Sequence, residues 1–553
     1  MKSTPEVKPA PAIQVSTTMS VGKAALMLAG MIALSRVLGL GRTMLTSYLY
    51  GTGPQAAAFE AAFNIPDTVT TLIAGGALAT GFVPVFAQYL ALGQQEQAQR
   101  TFRAMWTLLG CAFGVITMLL FAATWTPLNT ILAPTKLPPE YFPLYLYLLR
   151  VLLAAQFFFV LGGLFTGTLN ALRLFVFPAL QPVVFNLGIM VFGIVLPKFF
   201  NMGIESMAWG ALFGAVVGSL LIQAPAVKRS GLSLRPLWDL RDPGVKRVLA
   251  SLLPIVLGLA SGQVIALNLA RFFANGLPPT ELPAIGYANR LMQVPLDLLA
   301  SGPAIALFPT LVALSAQQNL GEMRLQLTGT LRRILLLTLL ATALLAALRF
   351  PIIQLLLQRG HFDKAATLQT APVLFAYAMC IVGLGAQQLL ARGFYALGDT
   401  RPPIYAGIIA VCTFGVLGWV SLHVTQSAAG LALAAAVAIS ILSILMAFWL
   451  SKKLGGWDEG ATTGGLCKGI MAALPTYFVA LFAQRWLSGA LSIFDTPQTL
   501  SLVKIAARAA IVIGGASVGI FTFILIAGVL GVREMGPLSR ISQKLFGRKQ
   551  RAA

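Results

Sequence analysis

A chain of 553 residues of which 57% are hydrophobic and only 10% charged lies far outside soluble composition, where about 25% of residues carry charge. That balance excludes a water-soluble enzyme or binding module and describes a protein that spends most of its length in a bilayer. The formal net charge of +22 is no sign of nucleic-acid binding, because the basic residues sit in short connections between apolar runs, where the positive-inside rule and an anionic leaflet account for them.

Residues 1–21 are polar and Pro-rich and lack the apolar core of a signal peptide, so they read as a disordered cytoplasmic tail. Fourteen apolar runs follow, near 22–50, 58–89, 101–126, 141–168, 176–198, 204–228, 247–276, 281–317, 328–357, 368–397, 402–424, 427–452, 465–489 and 502–532. Runs of about 20 residues predict helices, since the strands of a membrane barrel are shorter and alternate in polarity. The predicted fold class is an all-α polytopic membrane protein of about 14 transmembrane helices.

Loop charges predict orientation. Arg100 and Arg103, Arg173, the group from Lys228 to Arg247, Arg324 with Arg332 and Arg333, Arg401, and Lys452 with Lys453 fall on one side. The basic tail 533–553 joins them. Alternate connections are poor in charge: 51–54 has none, 277–282 has Glu281 and 423–427 has His423. Only 358–364, with Arg359, Asp363 and Lys364, departs from the pattern. The expectation is a multi-pass membrane protein with an even number of spans and both termini cytoplasmic.

A weak echo divides the chain. Arg42 and Arg271 are 229 residues apart, as are Pro66 and Pro295. Six spans precede the basic loop 229–246 and six follow it, which predicts two parallel six-helix lobes, 22–228 and 247–452. Residues 453–532 then supply two further helices.

No catalytic set is visible. His361 and His423 stand alone, no G-x-x-x-x-G-K-[ST] loop exists, and no His/Cys cluster has metal spacing. Asp239 and Asp242 stand beside Arg235 and Arg241 as ordinary loop charges. Cys111, Cys380, Cys412 and Cys467 read as small core residues. The chain is thus expected to be a transporter rather than an enzyme, with no cofactor and no metal.

Charges inside the apolar runs carry the functional signal, since each costs about 2.5–3.5 kcal/mol at a helix centre on insertion scales. Arg36, Arg42, Glu60 and Asp67 lie in the first two spans; Arg271, Arg290 and Asp297 lie in or beside the seventh and eighth. Concentrated in these segments, they predict the lining of a cavity for an anionic substrate, with arginine suited to phosphate because its fork binds two oxygens while staying ionised. Arg150 and Arg392 are isolated and read as structural. Pro66, Pro84, Pro295 and Pro309, with Gly76 and Gly302 nearby, are expected to interrupt helices and serve as hinges.

The segments SRVLGLGR (35–42), AAFNIP (61–66), GFVPVFAQY (81–89), FPALQPVVFN (177–186), YANRLMQVP (287–295) and GFYALGDTRPP (393–403) together resemble the MurJ (MviN) lipid II flippases of bacteria, in the MOP exporter superfamily. The resemblance extends in order from about residue 22 to 450. It implies two six-helix lobes plus two C-terminal helices that form a lipid-facing groove. It also implies an undecaprenyl-pyrophosphate-linked peptidoglycan precursor, lipid II, as substrate, moved to the outer leaflet. Family cavity arginines map onto Arg36, Arg42 and Arg290. The chain departs from the family at Ala57, where an acid is common and Glu60 stands one turn on. It departs again at Thr70 (arginine), Gly75 (acid) and Asn289 (acid).

The resulting expectation is a flippase working by alternating access. Arg42 and Arg290 hold the pyrophosphate, Arg36 supports them, and Glu60 or Asp67 balances charge. Driving force comes from membrane potential, worth about 2.3 kcal/mol per charge per 100 mV, or from a monovalent cation. Anionic phospholipids and cell-wall synthesis proteins are expected partners. The rivals are a flippase for another polyprenyl-linked glycan, a cation-coupled exporter of the MATE type, which would favour acids over arginines, and a non-transporting scaffold.

Overall fold

In hydrocarbon the backbone must satisfy its own hydrogen bonds, and a helix does so within one segment. The computed structural model describes residues 21–72, 78–127, 136–172, 174–250, 269–457, 459–494 and 501–532, and among them every regular element is helical. In chain order these are α1 (Val21–Tyr50), α2 (Pro54–Leu72), α3 (Leu78–Ala91), α4 (Gln95–Ala123), α5 (Pro139–Ala171), α6 (Val176–Phe200), α7 (Glu205–Arg229) and α8 (Ala270–Ala274). Then follow α9 (Glu281–Ala316), α10 (Leu320–Ala347), α11 (Arg349–Leu356), α12 (Lys364–Ala396), α13 (Arg401–Thr425), α14 (Ala428–Lys453), α15 (Glu459–Ala490) and α16 (Ser501–Val529).

Among the described residues, eleven helices are long and apolar enough to cross a membrane. They coincide with the third to sixth and the eighth to fourteenth expected spans. The first expected span is the 30-residue α1. The second is carried by α2 and α3, and most of the seventh falls on 251–268, outside the described residues. The ninth is shorter than expected: α10 ends at Ala347, and α11 follows after Leu348 as a separate helix.

The chain divides into two compact units, Met1–Leu45 with Ala58–Ala260, and Thr46–Ala57 with Ser261–Ala553. In the first, α5 packs against α3, α4 and α7, and α6 lies along α7. A ladder of rings fills the α3–α4–α5 interface: Phe82 to Phe86 at 5.3 Å, Phe86 to Phe102 at 6.5 Å, Phe102 to Phe165 at 6.4 Å and Trp106 to Phe165 at 4.9 Å. The α6–α7 pair is close because small residues face each other; a Cβ on Gly210 would run into the backbone of Gly188.

The connection after α7 is strapped onto α4. Asp242, buried, accepts from Gln97 Nε2 (2.6 Å), Thr101 Oγ1 (2.8 Å) and the Val245 amide (2.9 Å). Arg100 pairs with Asp239 at 2.7 Å, and the Leu237 amide donates to Thr107 Oγ1 at 2.8 Å. Asp239 and Asp242, expected to be ordinary loop charges, are instead the pins of an ordered strap. The hydrogen bond from the Arg100 guanidinium holds the Asp239 carboxyl below the usual carboxylate range.

In the second unit α12 is central, flanked by α9, α10 and α14, with α15 and α16 packed as a pair and α15 against α10. The α1–α2 turn belongs to this unit. Tyr287 Oη donates to the Gly51 carbonyl at 2.8 Å, and the His361 amide donates to the Tyr48 carbonyl at 3.0 Å. Gly51 (φ +56°) and Gly360 (φ +58°) are left-handed, and a Cβ on either would strike the opposite segment of this contact.

Gly360→Ala should cost about 1–2 kcal/mol from backbone strain alone, lowering the thermal midpoint of the purified protein. Gly329→Ala, on an open helix face, should be neutral or slightly stabilising; equal midpoints for the two variants would contradict the reading. Asp242→Ala should speed tryptic cleavage at Arg235 and Arg241 on the order of tenfold, since a buried acceptor of three hydrogen bonds is lost. The Asp239–Arg100 contact of the strap should survive acid until pH falls below about 4, read by the near-UV signal of neighbouring Trp238, because the depressed Asp239 carboxylate keeps its contribution above its unfolded value and loses it only as pH falls through the lower folded one.

Candidate functional site

On α1, Arg36 is exposed and Arg42 half-buried, as their six-residue spacing (about 120° around the helix) requires. The Arg42 guanidinium lies over the Phe185 ring of α6, 5.9 Å from its centroid, so one face of its charge is met by a π system. On α2, Glu60 is buried (1% exposed) and Asp67 half-buried. Between them stands Asn64, 4% exposed. The three residues are spaced i, i+4, i+7 and share one face of the helix. Asn64 is not among the residues that the sequence singles out, although that spacing is the signal that could have found it. Among the described residues, neither its amide nitrogen nor its amide oxygen has a hydrogen-bond partner.

On α9, Asn289 is fully buried beside half-buried Arg290. Gln293 Nε2 donates to Asn289 Oδ1 at 3.3 Å, and Ser301 Oγ donates to Asp297 Oδ1 at 3.0 Å. Arg290 and Asp297 are seven apart and nearly on one face. Arg271 lies in α8, but its side chain is outside the described residues. Arg36, Arg42, Glu60 and Asp67 thus belong to the first unit, and Arg271, Arg290 and Asp297 to the second.

The prolines correct an expectation. Pro66 (buried) lies within α2, Pro84 (exposed) within α3, and Pro295 (half-buried) and Pro309 (exposed) within α9. Pro66, Pro84 and Pro309 stand inside α-helical runs, whereas the α-helical ladder of α9 gives way to a π turn two residues after Pro295. Membrane helices absorb proline through local adjustment of the hydrogen-bond ladder. In α9 the adjustment is the wide π turn Asp297–Ser301, where the Gly302 amide reaches back to the Asp297 carbonyl. Pro303, which has no amide hydrogen for the Leu299 carbonyl, explains why the ladder shifts there rather than at Pro295. Gly302 is exposed, and Gly76 lies outside the described residues.

A second polar group carries no signal in the sequence. Gln223 Nε2 donates to Gln181 Oε1 and Gln181 Nε2 to Ser219 Oγ, both at 2.9 Å; Thr166 Oγ1 lies 3.1–3.2 Å from both amide oxygens. This network ties α5 and α6 to the π turn Val217–Gln223 of α7. Its members satisfy one another, which marks it as interhelical glue. Of the arginines read as structural, Arg150 Nε donates to Thr124 Oγ1 at 2.8 Å and its guanidinium stacks on Trp125 at 3.7 Å, and Arg392 donates to the Gln388 carbonyl of its own helix at 2.7 Å.

Among the described residues no group of three or more His, Cys, Asp and Glu could hold a metal ion. Of the cysteines only Cys380 is a core residue; Cys111, Cys412 and Cys467 are exposed, on helices whose outer faces need only be apolar. An apolar cleft of about 490 Å³ opens among α10, α12, α14 and α15, lined by Leu335, Val382, Ile444, Phe448 and Ile470.

Ionisable and amide side chains thus stand within long apolar helices of each unit. The family model described as lipid II flippase MurJ matches residues 46–496. The chain is 28% identical over 439 residues to the lipid II flippase MurJ of Burkholderia cenocepacia, covering 79% of this chain and 84% of that one. It is 30% identical to the probable lipid II flippase MurJ of Bdellovibrio bacteriovorus, covering 78% and 82%. A solved lipid II flippase MurJ in an inward closed conformation superposes with a TM-score of 0.72 at 19% identity, over 91% of this chain and 98% of that one, which shows a shared fold. The chain is a multi-pass membrane protein and belongs to the MurJ family of lipid II flippases.

Proposed function

We propose that this chain moves lipid II from the inner to the outer leaflet of a bacterial plasma membrane by alternating access. The observation that carries the reading is the family match over residues 46–496, joined to arginines retained within apolar helices. A pyrophosphate leaving water must exchange its hydration for charge-assisted hydrogen bonds. Arg42 and Arg290 each offer five N–H donors in a planar fork, and Arg36 adds charge. Glu60 and Asp67 keep the net charge of the first unit's site small when substrate is absent, and Asp297 does the same beside Arg290. Arg271, at the corresponding position to Arg42 in the 229-residue echo, is assigned the same role in the second unit.

The polyprenyl tail stays in hydrocarbon, and apolar surface beside the last two helices gives it a path. The basic connections face the cytoplasm in this reading, where they attract anionic phospholipids and place both termini inside. Energy comes from membrane potential or a coupled monovalent cation, and cell-wall synthesis proteins receive the product.

The test is a strain depleted of its own lipid II flippase and carrying this chain. Wild type should restore growth and lipid II exposure at the outer leaflet. Arg42→Ala and Arg290→Ala, at normal level in the membrane, should each lose about tenfold to a hundredfold in substrate affinity, as a charged hydrogen bond worth about 1.5–3 kcal/mol implies. Arg42→Lys keeps the charge without the fork and should fall between. Wild-type exposure by both alanine variants would contradict the assignment, and failure of the unmodified chain to restore exposure would contradict the function.

A further inference from the structure

The charged residues of α2 and α9 are spoken for by the phosphate, but the amides between them are not. Asn64 is 4% exposed, and among the described residues both its donor and its acceptor are without partners. In the second unit Asn289 is fully buried with its Nδ2 donor likewise unmet. An amide held this way inside a membrane helix is destabilising, and a leucine of the same shape would serve the fold better.

The two positions belong to one repeated pattern. Shifted by the 229 residues that relate Pro66 to Pro295, Glu60 falls on Asn289, Ala62 on Leu291 and Asn64 on Gln293. In each copy two polar side chains stand one turn apart, six and two residues ahead of a proline. Each proline has no amide hydrogen to give the carbonyl four residues earlier, Ala62 in one copy and Leu291 in the other. That carbonyl lies between the two polar residues in sequence but on the other side of the helix, about 200° around the axis from the first of them. What the two copies share on one face is therefore the pair of polar side chains alone.

Three ligand chemistries can be weighed against the Asn64 amide on α2. A phosphate is disfavoured, because Glu60 and Asp67 occupy the same helix face on either side of Asn64. A monovalent cation would engage the amide oxygen but leave the Nδ2 donors unmet. A hydroxyl or a secondary amide both accepts and donates, and meets both halves of Asn64 at once.

We infer that Asn64 is a specificity-determining residue that binds a neutral hydroxyl or amide group of the substrate's sugar–peptide headgroup, as distinct from its pyrophosphate. The inference rests on the flippase reading. Asn64 is buried in this structure, so it meets the headgroup only in a state that opens around α2; part of what the headgroup contributes is relief of the unmet amide.

The experiment is equilibrium binding to the full-length purified protein in nanodiscs, with two probes: lipid II, and undecaprenyl pyrophosphate, which shares its tail and pyrophosphate but has no sugar or peptide. Asn64→Leu should weaken lipid II binding about tenfold and leave undecaprenyl pyrophosphate binding within about twofold of wild type, with an unchanged or raised thermal midpoint. Arg42→Ala should weaken both. Asn64→Ala serves if the leucine variant does not fold, with the same selectivity expected. Equal loss of both probes, no loss of either, or a lowered midpoint in both variants overturns the inference. So does a loss that appears only on varying Na⁺, which would make Asn64 a cation ligand. Wild-type protein that binds neither probe refutes the flippase reading itself, a result separate from any behaviour of the variants.

Discussion

Inside a bilayer no water is present to receive a hydrogen bond, so every polar group that enters must find its partner in the protein or remain unmet. The described backbone obeys by being helical throughout its spans, and side chains obey by small closed sets. Thr166, Gln181, Ser219 and Gln223 satisfy one another around a π turn. Arg150 has Thr124 and Trp125. These groups hold helices together where apolar surface alone gives no preference, since lipid tails are as apolar as leucine.

Against that rule the exceptions acquire meaning. Among the described residues, Asn64 is buried with neither end of its amide engaged, and Asn289 with one donor unmet. Such groups are destabilising in the resting protein, and for Asn64 the proposed headgroup contact supplies the missing partner. The arginines differ in setting: Arg150 donates to the Thr124 hydroxyl and carbonyl and stacks on Trp125, whereas the Arg42 guanidinium lies over the Phe185 ring.

Much of the fold is legible in the chain because the lipid constraint writes itself into composition. Eleven expected spans are met by helices, and all but the ninth have ends within several residues of the apolar runs. What is not legible depends on local stereochemistry. Pro295 reads as a break, but the chain there passes into a π turn, Asp297–Ser301, set between Pro295 and Pro303, and continues as helix. Asp239 and Asp242 read as free loop charges because their partners on α4 are more than a hundred residues away in sequence. Of the candidate site, the charged members are visible as anomalies in apolar sequence. Asn64 is not, since an uncharged amide stands out only once its burial and its lack of partners are known.

The central claim is that this chain carries a pyrophosphate-linked lipid across a bilayer. Its most direct test is transbilayer movement of fluorescent lipid II in sealed liposomes containing only the purified protein, followed with a membrane-impermeant quencher. The account predicts that label shielded in the inner leaflet becomes accessible far faster than in protein-free liposomes. Accessibility that rises no faster than in protein-free liposomes would contradict it.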